Sequence, residues 1–221
     1  MSGKLQTVEI AGPVGRLEGL WKEASGERRG SAVFAHPHPL HGGTLHNKVV
    51  YRAAQALSAA GWATLRFNFR GVGLSEGRHD DGRGEVEDFW AALEEAEARR
   101  GLPILAGGFS FGAAVAWRAV QQDARVAAFV GVGLPVATPS AQGLPPPGTG
   151  MAAPSLFVVG EHDTFGPPAK LREFLGLAEN ARVVEIPGAD HFFEGKLDTL
   201  EATIRTFASA PLSVSIVGPR P

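Results

Sequence analysis

Cysteine is absent from the 221 residues of the chain. Its absence excludes disulfide bonds, thiolate nucleophiles and metal sites that use thiolate ligands. Because disulfides form mainly in oxidising compartments, a chain without cysteine fits a reducing one, and we expect a cytoplasmic location. The sequence also lacks an apolar run of about 18 residues that would cross a membrane. Its first ten residues include Lys4 but no apolar segment typical of a secretory signal.

Charge of one sign is not in excess either. The 21 Lys and Arg residues oppose 23 Asp and Glu residues, which leaves a formal net charge of −2. This balance indicates no electrostatic attraction to nucleic acid or to an anionic membrane. With 44% hydrophobic residues, a chain of this length can bury one core. We interpret residues 1–221 as a single domain with a tail at 211–221, and the oligomeric state stays open.

Apolar runs alternate with amphipathic segments along most of the chain, and glycine or proline separates many of them. The predicted strands are residues 8–10, 17–21, 31–35, 62–69, 104–107, 126–132, 155–159 and 182–186, with an optional one at 212–217. The predicted helices are residues 44–60, 85–100, 111–122, 169–178 and 197–208. Because the two types alternate from Ala32 onward, we expect an α/β fold, with a mainly parallel sheet, helices on both faces and ligands at the carboxyl ends of the strands.

The pattern Gly-x-Ser-x-Gly occurs twice, and only its context distinguishes a nucleophile from a turn. Residues 108–112 carry Ser110 between a predicted buried strand and a helical run. A serine on such a sharp strand-to-helix turn projects its hydroxyl from the sheet edge. Residues 73–77 carry Ser75, which is followed by a polar, glycine-rich stretch. We therefore predict Ser110 as the nucleophile, with helix capping as its alternative role, and a turn at Ser75.

A serine hydroxyl needs a base to accept its proton. In sites with such a turn the order along the chain is serine, acid, histidine. His191 follows the strand predicted at 182–186, and Asp163 follows the strand before it. We therefore predict Ser110, Asp163 and His191 as a catalytic triad, in which the Asp163 carboxylate orients the imidazole of His191.

Three neighbouring residues are weaker candidates for these roles. His162 precedes Asp163 and so breaks the expected order, and we interpret it as a loop side chain. Glu161 is the alternative acid. Asp190 is adjacent to His191 in the chain, and we expect its side chain to point elsewhere.

The loop after the strand predicted at 31–35 reads His-Pro-His-Pro-Leu-His-Gly-Gly. A tetrahedral intermediate needs N–H donors for its oxyanion, one from the residue after the nucleophile and one from this loop. Phe111 is the first expected donor. Since Pro37 and Pro39 have no N–H, the backbone of His38 is predicted as the second.

Four histidines, at positions 36, 38, 41 and 46, raise the alternative of a metal-dependent hydrolase, because His-x-His is a spacing found in metal sites. No carboxylate lies among them, and the predicted triad requires no metal. We therefore expect no metal and no other cofactor, and interpret at least one of these histidines as packed and hydrogen-bonded at the strand end. Arg70 and the glycines after it either frame the pocket or form a plain turn.

These motifs resemble the α/β-hydrolase superfamily. The resemblance rests on residues 108–112, on Asp163 in Gly-Glu-His-Asp, on His191 in Ala-Asp-His-Phe, and on the loop at 69–75. More narrowly, residues 36–50 are similar to a group of small, lidless bacterial hydrolases of about the size of the dienelactone hydrolases. The resemblance extends over about residues 8–207, and implies the α/β-hydrolase fold and carboxylic-ester chemistry. True dienelactone hydrolases use a cysteine nucleophile, which is absent from this chain.

The place where this superfamily carries a lid holds only residues 134–154, which are too few for a helical cap. We therefore expect an open site that binds a small or short-acyl ester as its small-molecule partner. We expect the protein to bind neither nucleic acid nor a membrane. An amidase or peptidase and an acyltransferase would use the same triad, and a non-catalytic scaffold that binds a partner is the alternative of another class. Topology places six apolar residues around the site, with ordinary core packing as their alternative role: Leu40, Phe109, Phe111, Leu134, Phe165 and Phe192.

Overall fold

A computed structural model describes residues 5–101, 103–121, 123–147 and 150–211. Eight strands lie in one sheet: β1 (Leu5–Gly12), β2 (Gly15–Lys22), β3 (Gly30–Ala35), β4 (Trp62–Phe67), β5 (Ile104–Phe109), β6 (Val126–Val132), β7 (Ser155–Gly160) and β8 (Ala181–Ile186). Their spatial order is β1-β2-β4-β3-β5-β6-β7-β8. The first two strands pair antiparallel and β2 joins β4 antiparallel, while every other pairing is parallel. The expected mainly parallel sheet is confirmed.

The described residues form five α-helices: α1 (Lys48–Ala59), α2 (Arg83–Arg100), α3 (Phe111–Ala119), α4 (Pro168–Leu175) and α5 (Leu197–Ser209). The first four connect strands, and α5 follows β8. Helix α1 begins four residues later than the sequence predicts, because the Asn47 side chain accepts the Val49 N–H and caps the helix there. Helix α4 ends earlier than predicted, at Leu175, since Gly176 adopts φ 55. The predicted extra strand at 212–217 lies outside the described residues.

Apolar side chains cover both faces of the sheet. Trp21, Phe67, Phe89 and Trp117 are among the buried residues of one face, where α2 and α3 pack. The buried residues of the other face, where α1 and α5 pack, include Phe34, Trp62, Phe109 and Phe193. Strands buried on both faces explain why their sequences are continuously apolar rather than alternating.

The connection between β6 and β7 contains a single 3-10 turn, Pro139–Ala141, among its described residues. No helical cap is therefore inserted in the described part of this segment, as expected from its length. Among the described helices, none is long and apolar enough to cross a membrane.

Candidate active site

Ser110 lies on the turn between β5 and α3, with φ 55 and ψ −121. A positive φ is unfavourable for serine, and costs roughly 1–3 kcal/mol that the surroundings must offset. Backbone hydrogen bonds hold the turn. The Ser110 N–H donates to the Val132 carbonyl (2.9 Å), and the Ser110 carbonyl accepts the N–H groups of Ala113 and Ala114. The strained turn presents a partly exposed hydroxyl at the carboxyl end of the sheet.

The two glycines of the motif are required by close approach of backbone. A Cβ on Gly112 would lie 2.3 Å from the carbonyl oxygen of His36, and one on Gly108 would lie 2.4 Å from the carbonyl oxygen of Gly112. Both distances are far below van der Waals contact. A side chain on Gly112 would push α3 away from the end of β3, and one on Gly108 would push it away from β5. The glycines therefore allow the start of α3 to lie directly against the ends of both strands.

Three side chains form a continuous hydrogen-bond chain at this edge. The Ser110 Oγ lies 2.9 Å from His191 Nε2, and His191 Nδ1 lies 2.8 Å from Asp163 Oδ2. Asp163 and His191 are buried, at 2% and 5% exposure. With Nδ1–H donating to the carboxylate, Nε2 is left as the acceptor for the serine proton, which is the arrangement a general base needs. The three predicted triad residues are thus brought together.

Asp163 also organises the loop around it. Its Oδ1 accepts the N–H groups of Phe165 and Gly166, both at 2.9 Å, while Oδ2 bonds to His191. The parallel pairing of Gly160 with Ile186 places the loops after β7 and β8 side by side, which explains why two residues far apart in the chain meet.

The weaker candidates are engaged elsewhere. Glu161 Oε2 accepts the Gly188 N–H at 2.7 Å. Asp190 Oδ1 accepts the N–H groups of Phe192 and Glu194, both at 3.0 Å. Neither carboxylate bonds to the imidazole of His191, so within the described residues Asp163 is its carboxylate partner.

The expected oxyanion donors lie on adjacent segments. Ala35 pairs with Gly108 across β3 and β5, so the loop after β3 runs beside the turn at Ser110. The rings of His38 and Phe111 are 4.9 Å apart. Among the described residues, no acceptor is hydrogen-bonded to the backbone N–H of either residue. The His38 carbonyl accepts the N–H groups of His41 and Gly43, which holds the loop in a tight turn.

His36 has a structural place at the end of β3. It is fully buried, its Nδ1 lies 2.6 Å from the Pro37 carbonyl and its Nε2 accepts the Phe69 N–H at 3.1 Å. Burial lowers the pKa of His36 to about 4, so the ring is neutral at pH 7. With both ring nitrogens bonded to backbone, it has no nitrogen left for a metal. Within the described ranges, no three His, Asp or Glu side chains converge as metal ligands.

Arg70 and Ser75 are also tied to the fold. The Arg70 guanidinium is buried and forms hydrogen bonds of 2.8–3.1 Å with the Asp88 carboxylate on α2, which also accepts the Arg70 N–H. The Ser75 hydroxyl donates to the Asn68 carbonyl at 2.7 Å and accepts the Glu18 N–H at 2.9 Å. Arg70 therefore anchors the loop after β4 to α2, and Ser75 anchors the same loop to β2 and to the end of β4.

Sequence reasoning did not single out His79, whose ring lies 5.0 Å from that of His38 and 5.6 Å from that of Phe111. Its Nδ1 bonds at 2.7 Å to the carboxylate of Glu85, which is fully buried in the first turn of α2. His79 lies in a polar, glycine-rich stretch with no periodic pattern, so the sequence carries no signal for this contact. Burial and the nearby His41 and His79 lower the pKa of His38.

The six apolar residues expected around the site divide into two groups. Phe109, Phe111 and Leu134 are buried, at 0%, 4% and 1% exposure, and belong to the core. Leu40, Phe165 and Phe192 are exposed, at 70%, 42% and 45%. Of the six residues, only those of the second group have a large exposed fraction.

Comparison with known proteins places the chain in a family. The sequence profile described as "Alpha/beta hydrolase domain" matches residues 29–210. An uncharacterized protein of Rickettsia prowazekii (strain Madrid E) is 33% identical over 211 residues, which cover 89% of this chain and 85% of that protein.

Solved structures agree with this placement. The structure of an alpha-beta serine hydrolase homologue from Coxiella burnetii has a TM-score of 0.84 and 38% identity, and the match covers 91% of this chain and 96% of that one. A lidless serine hydrolase of Xanthomonas campestris has a TM-score of 0.84 and 30% identity, with 96% and 97% covered. The chain therefore belongs to the alpha/beta hydrolase family and is a hydrolase, and its described residues include no inserted lid domain.

Proposed function

We propose that this protein is a serine esterase that cleaves small or short-acyl carboxylic esters through an acyl-enzyme on Ser110. The strongest support is the hydrogen-bond chain from Ser110 through His191 to Asp163, with distances of 2.9 and 2.8 Å. Further support comes from the strained turn at Ser110, because strain of this kind is retained where a nucleophile must project from its surroundings. The described part of the connection between β6 and β7 contains no helical cap, which favours small substrates over long lipids.

In the first half of the reaction, Ser110 Oγ attacks the ester carbonyl carbon while its proton passes to His191 Nε2. The carbonyl oxygen becomes an oxyanion, which accepts hydrogen bonds from the N–H groups of Phe111 and His38. The intermediate then collapses. Its bond to the alcohol oxygen breaks, and His191 returns the proton to that oxygen, which leaves the acyl group on Ser110.

In the second half, His191 accepts a proton from water as the water oxygen attacks the acyl carbonyl. A second oxyanion forms at the same N–H donors. It collapses with release of the carboxylic acid, and His191 protonates the departing Ser110 Oγ. The Asp163 carboxylate stays ionised throughout and stabilises the imidazolium that forms in each half.

A fluorophosphonate probe tests the proposed nucleophile, because it reacts with activated serines. We expect one adduct on Ser110, located by mass spectrometry, that is lost in Ser110→Ala. The matched control is Ser75→Ala, which alters the other Gly-x-Ser-x-Gly motif and should retain the adduct on Ser110. A folded wild-type protein that stays unlabelled and hydrolyses no short ester would refute the esterase and favour a non-catalytic scaffold.

Two related activities would use the same triad of Ser110, His191 and Asp163. Assays with different substrates distinguish them from an esterase. An amidase would hydrolyse the anilide of an acid as readily as its ester, and an acyltransferase would prefer an added acceptor to water. We further propose a cytoplasmic location, with which a chain without cysteine is compatible, and cell fractionation tests it.

A further inference from the structure

Three phenylalanine rings surround the imidazole of His191. The ring centroids of Phe109, Phe165 and Phe192 lie 5.1, 4.5 and 5.2 Å from that of His191. Phe109 and Phe165 are inclined to the imidazole by 34° and 35°, and Phe192 meets it edge-on at 84°. Phe109 is fully buried beneath the site, so Phe165 and Phe192 form the part of this surround that solvent reaches.

Phe165 and Phe192 are held outward by the backbone around them. The N–H of Phe165 donates to Asp163 Oδ1 and its carbonyl accepts the Ala137 N–H, both at 2.9 Å. The N–H of Phe192 donates to Asp190 Oδ1 at 3.0 Å. Its neighbour Phe193 is fully buried with φ 55, so the chain turns sharply and keeps Phe192 at the surface.

An apolar ligand that covers exposed ring surface removes it from water, which is favourable. Phe165 is 42% exposed and Phe192 is 45% exposed, and both contact the one side chain that must reach the substrate's leaving group. If His191 returns a proton to the leaving alcohol, that oxygen lies within hydrogen-bond distance of Nε2. Since the centroids of both rings lie within 5.2 Å of that of the imidazole, an alcohol part attached to that oxygen is able to reach them.

We propose that Phe165 and Phe192 form the alcohol subsite, and that they select esters whose alcohol part is an aromatic ring on a short linker. This assignment rests on the proposed esterase function and adds the substrate class. Flat apolar groups fit here because aromatic rings pack well in inclined and edge-on contacts, which these two rings already make with His191.

Acetate esters of different alcohols test the subsite, since all of them give the same acetyl-enzyme. We would compare kcat/KM for benzyl acetate, cyclohexylmethyl acetate and propyl acetate. The wild-type protein should prefer the benzyl ester, and the double variant Phe165→Leu/Phe192→Leu should lower the benzyl-to-propyl ratio about tenfold. A ratio cancels any effect on His191 that slows both esters equally.

Leu177→Ala is the matched control. Leu177 is 98% exposed and follows α4, near the amino end of β8 and thus at the opposite edge of the sheet. Removal of this exposed apolar side chain should leave the benzyl-to-propyl ratio at the wild-type value.

A second measurement tests the subsite by transfer of the acetyl group from the enzyme to an added alcohol. When the acetyl-enzyme forms from propyl acetate in the presence of equal benzyl alcohol and cyclohexylmethanol, the wild type should release more benzyl acetate. The Phe165→Leu/Phe192→Leu protein should lose that preference. A purely structural role for the rings would change the rate of acetyl transfer without changing which alcohol is acetylated.

Failure of the alcohol subsite and failure of the esterase function give different results. If Ser110 is labelled and short esters are hydrolysed, but the benzyl-to-propyl ratio is unaffected in the double variant, the alcohol subsite is wrong and the esterase stands. If the variant changes selectivity among acyl groups instead, the rings hold the acyl part and the assignment is overturned. If Ser110 is unlabelled and no ester is cleaved, both are refuted.

Discussion

At the scale of single residues, Asp163 has two structural roles, because its two carboxylate oxygens have separate partners. One oxygen bonds to His191, and the other accepts the N–H groups of Phe165 and Gly166. The same side chain therefore orients the base and fixes the loop that carries an exposed ring.

Replacement of Asp163 by asparagine separates these two tasks. The amide oxygen can still accept the backbone N–H groups, whereas its NH2 group would face His191 Nδ1 and favour the tautomer with a proton on Nε2. We expect kcat for a short ester to fall about 10⁴-fold, because that nitrogen can then no longer accept the serine proton. Steady-state kinetics measures the loss, and urea unfolding should show a folded protein. Activity within tenfold of the wild type would contradict the triad.

Burial of His36 makes the free energy of unfolding depend on pH. Burial lowers its pKa from 6.5 to about 4, so the folded protein disfavours the protonated ring. As the pH falls from 6.5 towards 4, the unfolded chain binds a proton that the folded state does not. The free energy of unfolding should therefore be greatest above pH 6.5 and fall by up to about 3 kcal/mol on acidification.

Urea unfolding at pH 7, 5.5 and 4.5 measures this dependence. A His36→Gln variant should be less stable at pH 7 and should lose this part of the acid sensitivity. His46→Gln changes an exposed histidine of the same loop and should keep it. Equal acid sensitivity in the wild type and the His36→Gln protein would show that His36 is not responsible.

At the scale of elements, the loop after β4 is attached to α2 by a buried ion pair. Asp88 is fully buried and faces the Arg70 guanidinium, while the adjacent Glu87 reaches the same guanidinium at 3.3 Å from a largely exposed position. The two carboxylates therefore contact the same arginine, but one is buried and the other is largely exposed to solvent.

We expect Asp88→Ala to lower the free energy of unfolding by about 3–5 kcal/mol, since it leaves the Arg70 charge buried without its main partner. Glu87→Ala is the matched control and should cost less than about 1 kcal/mol. Urea denaturation of both variants measures the difference. Equal costs would mean that burial does not distinguish the two contacts.

At the scale of the whole molecule, one sheet separates two apolar layers, and both layers contain residues from strands across its width. Because the strands are shared by both layers, neither layer can lose its packing alone. We expect a single cooperative thermal transition whose calorimetric and van't Hoff enthalpies agree. Two separate transitions in scanning calorimetry would show that residues 1–221 do not unfold as one domain.

Most strands and helices could be predicted from local patterns in the sequence. Apolar runs bounded by glycine and proline identify the strands, and strand-to-helix context separates Ser110 from Ser75 without any coordinates. The order of Ser110, Asp163 and His191 along the chain follows from the same loops. These features are readable because backbone preferences and apolar periodicity act over a few residues.

Contacts between segments distant in the chain were decided only by tertiary structure. Ser110 and His191 are 81 residues apart, and their 2.9 Å contact depends on how β5, β6, β7 and β8 pair. The same pairing buries Phe109 and leaves Phe165 exposed, although both are phenylalanines near strand ends. Packing of the segment after β4 gives His36 the Phe69 N–H as a partner, and packing of α2 gives Arg70 the Asp88 carboxylate. Such outcomes depend on register and packing across the sheet, which no local pattern encodes.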